Sequence, residues 1–142
     1  MKASNKLIEA IKRFEGCRLK AYKCPAGVWT IGYGTTKGVY AGMEISYTEA
    51  ERLLRRDLTT FENYVNSLGV CTTQGQFDAL TDFSYNVGTG NLGSSTLLKY
   101  IRAGRPYEDI KAQFMRWNKS KGKVLKGLTN RREWEAKRYT EQ

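Results

Sequence analysis

The chain has 142 residues, 40% hydrophobic and 27% charged, which suits one globular domain and excludes a disordered chain. Its 24 Lys and Arg outnumber 14 Asp and Glu, giving +10, so it favours polyanions: nucleic acid, anionic membrane surfaces or bacterial wall. Histidine is absent, which excludes a Ser-His-Asp hydrolase, a Cys-His protease and any His-based zinc site.

Leu7, Ile8, Ile11 and Phe14 recur at helical spacing behind a Ser4 N-cap, and Gly16 supplies the stop. Glu9, Lys12 and Arg13 break this stripe as no signal-peptide core would be broken, so a cytoplasmic start is expected. No apolar run reaches the roughly 20 residues of a membrane span. Residues 17–45 carry Pro25, closely spaced glycines and β-prone Val28, Trp29, Ile31 and Tyr33, which predicts a small twisted antiparallel sheet. Ser46 to Glu49 reads as a capping box opening a long helix that Gly69 closes, and Thr73 to Gln76 as a second box opening another. Gly88, Gly90 and Gly93 break the chain again. Ser94 or Ser95 caps the next helix, and Pro106 stands near the first turn of the one after. Lys119–Lys126 is basic and reads as a loop, with a last helix beginning at Thr129 or Asn130. The expected class is α+β, a helix and small sheet in one lobe and a helical bundle in the other.

Chemistry concentrates at Glu15, Cys24 and Thr30. A carboxylic acid facing a site that holds a water is what cleavage of a glycosidic bond requires. Glu15 lies where the negative end of the helix dipole disfavours a charged carboxylate, as a general acid needs; alternatively it is an exposed helix-end residue paired with Arg13 or Arg18. Cys24, before Pro25, could deprotonate a water, attack an anomeric carbon or stabilise the positive charge there, or be a small half-buried turn residue. Thr30 could orient the water through its hydroxyl, or be an ordinary strand threonine. The three cysteines, Cys17, Cys24 and Cys71, lack metal-ligand spacing and are expected as free thiols, though a bridge through Cys24 stays open.

The segments Glu15-Gly16-Cys17-Arg18-Leu19-Lys20-Ala21-Tyr22 and Trp29-Thr30-Ile31-Gly32-Tyr33-Gly34-Thr35 resemble the active-site region of phage-type lysozymes, the endolysins of glycoside hydrolase family 24. The similarity runs on through Gln76–Gly88, Ser95–Leu98, Trp117 and Gly127–Glu133, nearly the whole chain in order, with the lambdoid branch nearer than T4. It implies a lysozyme-like α+β fold. A small lobe of about 15–48 is joined by a long helix to a helical lobe of about 69–142, on which the N-terminal helix packs.

It also implies roles. Glu15 falls on the general acid, Cys24 on a position usually aspartate that also admits Cys, and Thr30 on the threonine that holds the nucleophilic water. Tyr85 and Asn86 match an aromatic-amide pair lining the glycan cleft, and Arg131 an arginine that steadies the catalytic glutamate. Thr35 stands where relatives carry a histidine, so a structural His–Asp pair cannot form, at an expected cost in stability. The implied activity is an inverting muramidase cleaving N-acetylmuramic acid from N-acetylglucosamine in bacterial peptidoglycan. Neither metal nor cofactor is implied, nor nucleic acid or stable membrane insertion. A monomer would accumulate in the host cytoplasm and reach the periplasm after holin-mediated release. A lytic transglycosylase, or a cationic wall-binding module without catalysis, are the competing readings.

Overall fold

The computed structural model describes residues 1–142 and divides into two units, residues 8–60 and residues 1–7 with 61–142. The lobes expected at 15–48 and 69–142 fall inside these two units.

Helix α1 (Asn5–Glu15) starts as its cap foretells, with Ser4 Oγ accepting from Leu7 N at 3.1 Å. It stops at Gly16, whose positive φ of 68° lets its N–H reach the Lys12 carbonyl at 3.0 Å. In the smaller unit, β1 (Arg18–Lys23) pairs antiparallel with β2 (Trp29–Gly32), Tyr22 opposite Thr30 and Lys23 opposite Trp29, with a bulge toward Arg18. The other edge of β1 is occupied too: Ala21 N donates to Met43 O and Ile45 N to Leu19 O, both at 2.9 Å. Helix α2 (Tyr47–Leu68) begins at Ser46, whose Oγ accepts from Glu49 N at 3.1 Å. The box is only half made, because the Glu49 carboxylate turns to Arg52 instead. Ile8, Ile11, Ile31, Leu54 and Leu58 are among this unit's buried apolar residues. Thr35, also buried, donates to Asp57 Oδ2 at 2.7 Å, so a hydroxyl–carboxylate bond stands where a His–Asp pair cannot.

The larger unit is built on α3 (Gln74–Val87), which packs chiefly against α7 (Lys126–Tyr139). Thr73 caps α3, and α5 (Thr96–Arg102) is capped by Ser95, which accepts from Leu98 N. Helix α6 (Tyr107–Met115) follows Pro106. The core is Phe77, Leu80, Phe83, Leu92, Leu97, Leu98 and Phe114, with Phe83 meeting Phe114 and Trp117 edge-on at 5.8 and 5.5 Å. Residues 1–7 are stitched into this unit: Met1 N donates to Asn66 at 3.0 Å, Ser4 N to Asp78 at 3.2 Å, and Lys6 pairs with Glu141 at 2.9 Å. Asp78 also accepts both Nε and Nη2 of Arg138, at 3.0 and 2.8 Å.

Three local expectations fail here. A short helix α4 (Thr89–Ser94) runs through Gly90 and Gly93. A Cβ on Gly93 would stand 2.4 Å from the Tyr64 hydroxyl, so this glycine serves a close approach and breaks nothing. Lys119–Lys126 is not an open loop but holds a hairpin, β3 (Lys119–Ser120) and β4 (Lys123–Val124), turning through Lys121 and Gly122 at φ 50° and 79°. Two successive left-handed residues are what a tight hairpin demands. Finally, α7 begins at Lys126, before either expected cap, because Leu125 holds the cap position on backbone geometry with no side-chain bond.

Candidate active site

Glu15, Cys24 and Thr30 all belong to the unit of residues 8–60; Tyr85, Asn86 and Arg131 belong to the other. Glu15 is the last residue of α1 and is exposed, its place fixed by the Gly16 stop.

Cys24 and Thr30 flank the turn that joins β1 to β2. Pro25 occupies its second position, Gly27 N donates to Cys24 O at 2.8 Å, and Cys24 N closes it on Val28 O at 3.0 Å. Thr30, 5% exposed, donates from Oγ1 to the same Val28 carbonyl at 3.0 Å. One carbonyl therefore ties the two residues together. The turn also acts on the thiol. Backbone N–H groups of Val28 and then Ala26 point at Cys24 and hold it below the usual thiol range. Cys71 is the opposite case: burial pushes its thiol up to about 11. All three cysteines are free thiols. At pH 7.5 iodoacetamide is expected to label Cys24 about 100-fold or more faster than Cys71, read by peptide mass spectrometry. Equal rates would remove Cys24 as a candidate base.

Arg131 is 4% exposed and grips Asp82 with a fork, Nε to Oδ2 at 2.9 Å and Nη2 to Oδ1 at 2.7 Å. Tyr85 packs edge-on against Phe61 at 5.3 Å. Asn86 Oδ1 accepts from Arg132 Nη2 at 2.8 Å. Around these residues lies a network that sequence reasoning missed. Asp82, Arg132 and Glu135 are all fully buried, and Arg132 pairs with Glu135 at 2.7 Å. Burial raises Glu135 well above the carboxylate range, helped by its hydrogen bond to Asp82 and that group's charge. Burial works against Asp82 as well, but the Glu135 hydrogen bond and the Arg131 charge outweigh it and hold Asp82 low. The two carboxyls are thus pushed apart, Glu135 toward its neutral form and Asp82 toward its charged one. The available signal was spacing: Asp78 and Asp82 recur at i,i+4 as the two charged residues of α3, and Arg132 and Glu135 at i,i+3 on α7.

Asn86, Asn91, Arg116, Trp117, Lys119 and Arg132 are among the residues lining a cavity of about 340 Å³. Its polar, cationic and aromatic lining suits a glycan with polar substituents. No group of His, Cys, Asp or Glu able to hold a metal is found, and no helix is long and apolar enough to cross a membrane.

Residues 12–135 match the family described as phage lysozyme. The endolysin of Bacillus phage B103 is 48% identical over 139 residues, 95% of this chain, and the chain spans 52% of that relative's length. The endolysin of Acyrthosiphon pisum secondary endosymbiont phage 1 is 42% identical, with 95% of each chain covered. Among solved structures, the muramidase domain of SpmX from Asticaccaulis excentricus superposes with a TM-score of 0.91 at 35% identity, covering 99% of both chains.

Proposed function

The chain belongs to the phage lysozyme family, and from that premise we propose that it hydrolyses the β-1,4 bond between N-acetylmuramic acid and N-acetylglucosamine in bacterial peptidoglycan. The observation that carries this reading is that the family match spans Glu15, Cys24 and Thr30, the last two tied through the Val28 carbonyl.

On this reading the Glu15 carboxyl gives its proton to the leaving glycosidic oxygen as the bond to the anomeric carbon breaks. A water attacks the oxocarbenium-like carbon from the other face. The Thr30 hydroxyl spends its proton on Val28, so its lone pairs accept from that water and leave the water's own lone pair free to attack. The Cys24 thiolate takes the proton the water sheds. Water and glycan are thereby converted to two chains, with inversion at the new reducing end. Tyr85, Asn86 and Arg131 are the candidates for substrate contact. The same proposal makes the enzyme a member of glycoside hydrolase family 24. It would work as a monomer without a cofactor, with the wall reached from the host cytoplasm through a holin.

Mass spectrometry of fragments released from purified Gram-negative peptidoglycan tests the reaction. Fragments ending in reducing N-acetylmuramic acid are the expected product. Anhydro-terminated fragments would mean transglycosylase chemistry, and no fragments at all would mean a wall-binding module.

A further inference from the structure

We infer that Arg132 is a positioning residue that fixes which way the Asn86 amide faces and thereby sets what this site recognises. The inference rests on the muramidase reading for its substrate.

Arg132 is fully buried, and its two terminal nitrogens make directional hydrogen bonds. Nη2 donates to Asn86 Oδ1 and to Glu135 Oε2, each at 2.8 Å, and Nη1 to the Trp117 carbonyl at 3.3 Å. The guanidinium also lies over the Phe83 ring at 5.1 Å, and Phe83 in turn meets the Trp117 indole. A buried guanidinium costs desolvation that apolar packing of similar volume would not, so stability alone is a poor reason to keep one here.

What a guanidinium does that an apolar side chain cannot is remove an ambiguity. An amide can be turned end for end at almost no cost in packing. Arg132 has only donors, so the end of Asn86 that faces it must be the oxygen. The other end, the two-proton Nδ2, is then left as a donor at a residue lining the 340 Å³ cavity, which Trp117 and Arg132 also line. Glu135 holds the guanidinium at that angle from behind. The site thus offers a fixed donor beside an aromatic face. Its complement is an amide carbonyl, which peptidoglycan carries on the N-acetyl groups of its glycan and along its peptide stems.

Asn86→Asp separates this from a structural role. A carboxylate accepts from Arg132 at least as well as an amide oxygen, so melting should not fall, while the outward donor is gone. Measured on soluble glycan strands, KM is expected to rise about tenfold with kcat changed less than threefold, the scale of one good hydrogen bond. Arg132→Lys keeps the charge opposite Glu135 but loses the fork, and should raise KM on the same scale. The double variant should be no worse than either single one. Strands with and without stem peptides, assayed in parallel, distinguish the two carbonyl sources. A wild-type KM in Asn86→Asp, or additive effects in the double variant, would overturn the inference, as would a lowered Tm with unchanged KM in Arg132→Lys. Wild-type protein that binds the strands but releases no reducing ends would sink the muramidase reading instead. Calorimetric affinities for the same strands would then test the amide donor without catalysis.

Discussion

Glu15→Gln is expected to lower release of reducing ends from peptidoglycan by about 10² to 10⁴-fold, the usual contribution of a positioned general acid, while the fold is kept. The amide has the size and hydrogen-bonding reach of the acid but no proton to give. Stability should not fall, for a reason built into α1. Glu15 is the last residue of that helix, where the dipole's negative end repels a carboxylate and not an amide. Calorimetry is therefore expected to return a Tm close to that of the parent, since Gln keeps the side chain's size and hydrogen-bonding reach. Lost activity with an unchanged Tm assigns the loss to chemistry. Retained activity would remove Glu15 from the mechanism, and with it the reading of this turn-and-helix corner as catalytic.

Asp82→Asn and Glu135→Gln, two isosteric changes in one buried network, are expected to behave oppositely. Asp82 is the charged partner of the Arg131 fork, and replacing it breaks a buried bidentate pair, a loss of about 3–5 kcal/mol. Glu135 is pushed toward its neutral form, which Gln copies, donating to Asp82 from the amide and accepting from Arg132 at the oxygen.

The pH dependence follows from the two directions. Asp82 lies below its unfolded value, so its contribution is present above about pH 4 and is lost as pH falls through the folded value. Glu135 lies above its unfolded value. Its contribution is complete below about pH 4 and is lost as pH rises through the folded value, because the unfolded chain then gains from ionisation. Glu135→Gln escapes that loss, so chemical denaturation should find it gaining on the parent between acid and neutral pH. If it costs as much as Asp82→Asn at pH 7, Glu135 is not held neutral.

What could be read from residues alone divides by range of interaction. Caps at Ser4, Thr73 and Ser95 were legible because a cap joins a side chain to a backbone N–H three residues on. The start of α7 was not, since Leu125 caps with no polar side chain. Gly93 read as a breaker because only the fold brings the Tyr64 hydroxyl against it. The Lys121-Gly122 hairpin was hidden in a run of charge whose composition suggests a loop. Glu15, Cys24 and Thr30 stood out as a motif, and the structure adds the carbonyl of Val28 that joins two of them. The Asp82–Arg131–Arg132–Glu135 network could not be assembled beforehand. Its halves are 49 residues apart on two helices, and charged residues are ordinarily placed on the surface.

The stitching of residues 1–7 into the unit of residues 61–142 bears on synthesis. In connectivity the smaller unit is an insert within the larger one, and its residues leave the ribosome together and early. The contacts that Ser4 and Lys6 join are completed much later, since Arg138 reaches Asp78, and Glu141 reaches Lys6, only after nearly the whole chain is made. Domains fold as units during translation, at about 5–20 residues per second. The insert, with Glu15, Cys24 and Thr30, can therefore form seconds before the unit that holds Asn86 and Arg132. For that interval a nascent chain holds Glu15, Cys24 and Thr30 while Asn86 and Arg132 are still to be placed, so the proposed chemistry waits on the second unit.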